Sequence, residues 1–396
     1  MLNTPTGLRT KGHTRAFFLV VLALLGALTF ASLNVQPADA APKASKAKKK
    51  KKKPNTVKVM TRNVYLGADL GPAINASSTD DFINKNGQIL RDVDTNNFKA
   101  RAKSLAAELK QVSPDLVGLQ EVALWRTGPI NLAAATGGEK TATTVHIDYL
   151  KELMAQVNKG KKRYRIVKVQ QEFDFEAPAD YNGVEGDGNI PGINSNGELD
   201  GRLTMRDAIL AKVGSSVKTK NVKSGNYETI YTPVISGIPV KVDRGWLSAD
   251  VKVRKGKWFR FVNTHFEAFG APEIREAQAK ELLASRGPLR SGKLPAVLVG
   301  DLNSDDNTVS AEDALAYNAL KKGGMVDRGT KKMTFGVDSG IITADAPAKF
   351  NQTIDHVMTS RPKSVKLIKS GVTGTKPVNG YWNSDHLGVW ANLKMP

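Results

Sequence analysis

Six short polar stretches in this chain stand at the boundaries of apolar runs. They are Arg62-Asn63 after VKVMT, Gln120-Glu121 after LVGL, Asn263-Thr264-His265 after FRFV, Asp301-Leu302-Asn303 after VLVG, Asp355-His356 after TI, and Ser384-Asp385-His386 between YWN and LGVW. An apolar strand that ends in a carboxylate, amide or imidazole delivers that group to the rim of a sheet. Several such strands can converge on one place. A carboxylate beside an imidazole among aromatic residues is costly to bury unless each is paired, and pairing of that kind is also how active sites tune acids and bases.

Taken singly, each stretch has an ordinary structural explanation. Glu121 could be a capping or surface carboxylate, Asn63 a turn residue, and Asp301 with Asn303 an Asx turn. His265 could be a satisfied core imidazole, Asp355 a strand-end ion-pair partner, and Asp385 with His386 a strand cap. Six such coincidences in one chain point instead to a shared site. The chemistry follows by elimination. There are five histidines, His13, His146, His265, His356 and His386, with no HExxH spacing, so zinc is poorly supported. Carboxylates and amides are oxygen ligands that suit a hard cation such as magnesium or calcium. The phosphate-loop motif GxxxxGK[ST] and the GxSxG elbow are missing, and the chain has no cysteine to act as a nucleophile. Metal-assisted attack of water on a phosphoester remains, with the cation offsetting charge on the phosphoryl oxygens and the histidines moving protons or hydrogen-bonding phosphate.

The order of these motifs resembles the endonuclease/exonuclease/phosphatase superfamily, which includes pancreatic-type deoxyribonucleases, abasic-site endonucleases, inositol polyphosphate phosphatases and bacterial sphingomyelinases. LQEV, NTHF, GDLNS, TIDHV and SDH carry the resemblance over about residues 57–393. It implies a four-layer α/β/β/α sandwich, two mixed sheets packed face to face with helices outside, and a Mg2+, Ca2+ or Mn2+ cofactor. By the same resemblance Glu121 ligates the metal, with Asn63 at the metal and phosphate position and Asp385 at a second metal or orienting position. His265 matches the general acid toward the leaving oxygen, Asp301 the group that orients or deprotonates water, and Asn303 its amide helper. Asp355 matches the carboxylate partner of His386. Tyr65 stands where abasic-site endonucleases carry an aspartate; Asn63-Val64-Tyr65 is closer to the secreted sphingomyelinases. The carboxylate that partners the first histidine in deoxyribonucleases has no match. Arg206, beside Asp207, is a candidate phosphate contact, with a strand-edge ion pair as the other reading.

The elements that must position these groups are partly legible. Strands are expected at VKVM, DLVGLQEV, YRIVKVQ, DAILAK, WLSADVKV, KWFRFVNTHF, PAVLVGD, TIDHVMTS and LGVWANL. Apolar spacing predicts helices over 98–112, stopped by Ser113-Pro114, over about 146–158 and over 272–285. Residues 173–201, rich in Gly, Asn, Asp and Pro, read as a long surface loop. Helices and strands are both required, so the class is mixed α and β.

Residues 1–40 read as a secretory signal peptide, with Arg9, Lys11 and Arg15 ahead of the apolar run from Ala16 and Ala38-Asp39-Ala40 at a cleavage site. An uncleaved membrane anchor is the alternative. Residues 41–55 follow as a Lys-rich disordered tether suited to anionic surfaces, and 56–396 as one catalytic domain. Of the net charge of +20, the leader holds +2 and the eight lysines of 41–53 hold +8, leaving +10 for the rest. That excess favours a polyanionic partner. The expectation is therefore a secreted phosphodiester hydrolase with a tail that could hold it at the cell surface, and with nucleic acid ahead of phospholipid as substrate. A sphingomyelinase-like phospholipase C, a phosphomonoesterase and a catalytically silent binding protein are the alternatives. Nothing in the sequence asks for an obligate protein partner.

Overall fold

The computed structural model describes residues 55–396, apart from 185, 189, 191–196, 215, 236, 291–292, 307–308, 337–340, 342–349 and 362. The expected signal peptide and nearly all of the tether lie outside the described residues. The chain builds one sheet, then a second, then returns to the first. Strands β1 (Thr56–Asn63), β2 (Leu116–Gln120), β3 (Leu124–Gly128), β4 (Thr144–Asp148), β5 (Tyr164–Ala179) and β6 (Leu199–Lys212) enter the first sheet. Strand β7 (Val217–Asn226) opens the second sheet. Strands β8 (Val234–Ile235) and β9 (Ile238–Pro239) pair with each other. Then β10 (Gly245–Val253), β11 (Phe259–His265), β12 (Ala296–Asp301), β13 (Val326–Asp327) and β14 (Asp355–Thr359) complete the second sheet. Finally β15 (Lys366–Thr373) and β16 (Gly388–Lys394) return to the side of β1. The first sheet has the order β15-β16-β1-β2-β6-β3-β4 with β5 alongside β6, and the second β13-β14-β12-β11-β10-β7.

Alternation of side chains along each strand builds four layers. Val57 and Val59 of β1, Phe259 and Phe261 of β11, and Val297 and Val299 of β12 point into the core between the sheets. Met60 faces the other way, onto helices α2 (Thr79–Thr95), α3 (Phe98–Val112) and α5 (Tyr149–Val157). Val262 and Leu298 face outward from the second sheet onto α6 (Pro272–Leu283) and α7 (Leu315–Lys322). Two short turns, α1 (Gly71–Ile74) and α4 (Leu132–Ala135), complete the helices. The sandwich is the one implied above. Near its rim the two sheets are joined by polar contacts. Gln120 donates to Asn263 Oδ1 at 2.6 Å, and Asn263 Nδ2 donates to the carbonyl of Leu119 at 3.0 Å. Gly118 makes this approach possible, since a Cβ there would sit 2.2 Å from Asn263 Oδ1. Gln120 and Asn263 are thus keys between the layers.

Two expectations are corrected and one helix is added. Residues 173–201 are not all loop: β5 runs to Ala179 and β6 begins at Leu199, in register Asp174↔Thr204 and Ala179↔Leu199. The polar residues that suggested a loop are paired across this hairpin, Asp174 with Arg202 at 2.7 Å. The segment expected as helix from 146 begins as strand β4, and the helix starts at Tyr149, where Asp148 accepts from the backbone N–H of Lys151. Helix α2 was not anticipated. Its Asn and Gly content weakens the helical signal, yet Gly87 is needed because a Cβ there would lie 1.6 Å from the carbonyl oxygen of Asp180. The excess lysines also find a place. Lys218, Lys220 and Lys223 lie on β7, and Lys366 and Lys369 on β15, each at an edge of its sheet, where charge discourages pairing with another chain.

Arg101, on α3, is fully buried. Its guanidinium donates to the backbone carbonyls of Asn96 (2.9 Å), Val64 (2.7 Å), Asn383 (3.1 Å) and Tyr65 (3.2 Å), and lies over the rings of Phe98, Tyr149 and Tyr65. Replacing it leaves several buried acceptors without donors, each worth roughly 1–3 kcal/mol. Arg101→Leu is expected to lower unfolding free energy by on the order of 4 kcal/mol in urea titration; a loss under about 1 kcal/mol would contradict this account.

His356 points away from the rim, its Nδ1 on Asp327 at 3.1 Å and its Nε2 on the carbonyl of Ser304 at 3.2 Å. Burial disfavours its charged form, but the hydrogen bond and charge of Asp327 outweigh that and raise its pKa. Asp327 is lowered, the His356 contact outweighing burial. The raised histidine contributes stability below its unfolded value near 6.5, lost as pH rises through its folded pKa; the lowered aspartate contributes above about 3.9, lost as pH falls. Asp327→Asn should therefore depress Tm more at pH 5.5 than at pH 9, and equal depressions at both would show that His356 is uncharged in the fold.

Candidate active site

Strand register brings the predicted groups together. Within the second sheet His265 stands opposite Asp301, and Asp301 opposite Asp355, so one residue from each of β11, β12 and β14 forms a row across the rim. In the first sheet Asn63 is level with Gln120, which puts Glu121 just beyond the end of β2. The loop before β16 supplies Asp385 and His386. Ser384 fixes that loop: its hydroxyl donates to the carbonyl of Asn63 at 2.9 Å and accepts from the N–H of His386 at 3.1 Å. The result is a cleft of about 650 Å³ walled in part by Tyr65, Glu121, Asp301, Asn303, Asp385 and His386.

Asp301 is the hub. Its Oδ1 accepts from the N–H of Asn303 at 2.9 Å, its Oδ2 from Asn63 Nδ2 at 2.9 Å, and the Nε2 atoms of His386 and His265 lie 3.5 and 3.6 Å from that same Oδ2. Burial raises the Asp301 carboxyl, His386 opposes the rise and Asp355 adds to it. His386 Nδ1 is 2.8 Å from Asp355 Oδ2. Burial works against its charge, but Asp355, then Asp301 and Asp385, outweigh it and lift its pKa to about 10. His386 is an imidazolium whose Nε2–H faces the cleft.

His265 is in the opposite state. Burial, then the cationic Arg244 and His386, hold its pKa well below the usual range. Arg244 Nη1 lies 3.2 Å from Nδ1. A guanidinium only donates, so Nδ1 accepts and the ring proton sits on Nε2. Asn303 Nδ2, 3.2 Å from that nitrogen, donates to the carbonyl of Phe266 at 2.9 Å. Behind the ring, one oxygen each of Glu172 and Asp207 lies within 4.8 Å of a His265 nitrogen. Both carboxyls are raised well above the ordinary range, chiefly by burial. Arg244 also reaches Glu267 at 3.4 Å and Glu172 at 3.9 Å.

Glu121 and Asp385 are two further carboxylates of the cleft wall. Glu121 Oε2 accepts from the N–H of Leu66 at 2.7 Å and Oε1 from Asn63 at 3.0 Å, leaving lone pairs toward the cleft. Asp385 is raised by burial first, with His386 opposing and Glu121 reinforcing. A carboxyl that burial and a neighbouring carboxylate push toward protonation is relieved by a hard divalent ion, so the donor set fits one. Asn63 does more than the ligand role expected for it. Its Oδ1 already accepts from the N–H of Tyr65 at 2.9 Å, and its amide protons bridge Glu121 and Asp301; it orients the ligands. Arg206 also departs from expectation. It holds the carbonyls of Val122 (2.9 Å) and Ala123 (3.2 Å) and pairs with Asp148 at 2.5 Å, so it supports the turn that carries Glu121 and is outside the cleft wall. Tyr65, Glu121 and Asn303 all adopt left-handed backbone, with φ of 60°, 59° and 42°. Such conformations cost a non-glycine residue about 1–3 kcal/mol and gather at functional sites.

Sequence reading missed Arg244, Glu172 and Arg101, all buried charges in otherwise ordinary contexts. Thr334 was missed too; its hydroxyl accepts from the N–H groups of Ile354 and Asp355, both at 3.2 Å.

The family model described as Endonuclease/Exonuclease/phosphatase family matches residues 75–386. A search of curated proteins returned no match. Among solved structures, an endonuclease/exonuclease/phosphatase family protein from Bacteroides thetaiotaomicron aligns with a TM-score of 0.51 at 17% identity, over 87% of this chain and 99% of that one. One from Bacteroides vulgatus aligns at 0.50 and 18%, over 86% and 100%. One from Leptotrichia buccalis aligns at 0.50 and 14%, over 86% and 100%. At these identities the likeness speaks to the fold, while the family match covers most of the chain together with the row of Glu121, His265, Asp301 and His386. The chain therefore belongs to the endonuclease/exonuclease/phosphatase family, whose members are metal-dependent phosphoester hydrolases.

Proposed function

We propose that the protein is a secreted phosphodiester hydrolase that uses a divalent cation held by Glu121 and Asp385. The observation that carries this reading is the meeting of His265 and His386 Nε2 at Asp301 Oδ2, 3.6 and 3.5 Å away, in one cleft with Glu121 and Asp385. The cation, when bound, offsets charge on the phosphoryl oxygens. Asp301 orients the attacking water and takes its proton as the new P–O bond forms. The His386 imidazolium donates Nε2–H to a phosphoryl oxygen, where negative charge grows. His265 hydrogen-bonds the departing oxygen through Nε2–H as the old P–O bond breaks, that oxygen then takes a proton from solvent, and Asn303 holds Asp301 through its backbone N–H and the chain after His265 through the carbonyl of Phe266.

Nucleic acid led the sequence reading because of the domain's positive charge. The cleft itself supports that reading less. Its walls hold no lysine among the described residues, and its arginines, Arg244 and Arg275, face Glu267 and Asp313 at 3.4 and 3.9 Å. Secretion and a surface-binding tail rest on the leader and the lysine run. No helix among the described residues is long and apolar enough to cross a membrane.

With bis(4-nitrophenyl) phosphate, the mature chain should turn over in Mg2+, Mn2+ or Ca2+ and stop in EDTA. Asp301→Ala and His386→Ala should each lower kcat/KM by about a hundredfold or more with the fold retained by circular dichroism. A near-normal rate in EDTA, or in either variant, ends this assignment. Deleting residues 41–53 should leave that rate unchanged and weaken retention on anionic vesicles, at about 1 kcal/mol per lysine near the surface; unchanged retention would remove the tether from the picture.

A further inference from the structure

Beside the catalytic cleft lies a second, apolar cavity of about 90 Å³. Ala73 of α1, Phe82 and Leu90 of α2, Phe175 of β5, Leu203 of β6 and Ile235 of β8 contribute to its walls. Leu70, Met205, Arg244 and Phe269 line both the cavity and the cleft, so the two spaces adjoin through these four side chains. Arg244 is the residue that touches His265. The cavity therefore opens beside a group that faces the scissile phosphoester.

We propose that this cavity is a substrate subsite that takes the hydrocarbon chain of a lipid phosphodiester. The inference rests on the hydrolase reading above and adds the substrate class. The wall chemistry carries it. Asn86, Arg244 and the indole N–H of Trp125 are the polar side-chain groups among the lining residues, and all are already engaged, Asn86 with the carbonyl of Pro178 at 3.0 Å, Trp125 with the carbonyl of Leu66 at 2.9 Å and Arg244 with Glu267 and His265. A nucleobase or sugar placed there would leave polar edges without partners, which is costly. A hydrocarbon loses nothing polar and gains from leaving water. The size decides between ring and chain. The space is smaller than the roughly 150 Å³ that takes benzene. That suits the first few carbons of a linear chain rather than an aromatic ring.

The test uses the full mature chain with the cation that supports turnover. The probes are n-alkylphosphonates from methyl to octyl, whose C–P bond resists hydrolysis, competing against bis(4-nitrophenyl) phosphate. The inhibition constant is expected to fall about fourfold for each methylene that enters the cavity and to level off once it is full. Ala73→Phe, which fills the cavity from a position outside the catalytic cleft, should abolish the chain-length dependence while leaving methylphosphonate inhibition and basal turnover unchanged. Should that variant fail to fold, Gly201→Ala serves, because its new Cβ meets Leu90 Cδ1 at 3.0 Å and narrows the same wall. Inhibition independent of chain length, a full chain-length gain in the filled variant, or stronger inhibition by a dinucleoside phosphonate than by butylphosphonate each overturns the proposal. Absence of turnover in every cation overturns the hydrolase reading instead. Calorimetric titration with methyl- and butylphosphonate then decides the subsite alone: tighter butyl binding supports it and equal binding ends it.

Discussion

A cation buried under the site holds its two halves in place. Arg101 reaches up from α3 to the carbonyls of Val64 and Tyr65, where β1 ends, and to the carbonyl of Asn383, two residues before Asp385. These segments are more than 300 residues apart in sequence and must lie side by side for Asn63, Glu121, Asp385 and His386 to share a cleft. Burial disfavours the charge of Arg101, while the field of Asp385 favours it. The fixed positive charge therefore serves two ends. It satisfies backbone acceptors that would otherwise be stranded, and it makes the carboxylates above easier to hold together.

The two histidines show how the same side chain is set to different tasks by its neighbours. His386 faces three aspartates and is charged; His265 faces an arginine and is neutral. They sit on either side of Asp301 Oδ2 at nearly equal distance. One imidazole can thus offset charge that develops at phosphorus while the other offers a hydrogen bond without adding to a site already rich in ionised groups. Pairing pKa values that diverge in this way is how one cleft supports both halves of a displacement.

Much of this was legible in the sequence, because the groups that meet around the cleft sit at the ends of apolar strands. VLVGD and FRFVNTH announce both the strand and what it delivers, and period two explains why Asp355 faces the cleft while His356 turns to Asp327. What escaped was whatever depends on long-range partners. Arg101 looks like any helix-surface arginine until Val64 and Asn383 arrive. Phe173 to Ala179 looks like loop until pairing with β6 satisfies its polar residues. Arg206 looks like a phosphate ligand until Asp148 occupies it. Spacing cannot show such pairings, since each joins residues whose proximity is a product of the fold. The apolar cavity belongs to the same class, as its walls come from helices and strands far apart in sequence.

The lysines on β7 and β15 have a consequence for the protein in solution. Both sheets stay open-ended, and the chain has no cysteine with which to brace itself. Like-charge repulsion is then what keeps one molecule's border strand from zipping onto another's. That barrier is electrostatic and reaches about 10 Å in 0.1 M salt but only about 3 Å in 1 M. Concentrated brine would strip it away, so colloidal behaviour should worsen as ionic strength climbs, long before the core itself loosens.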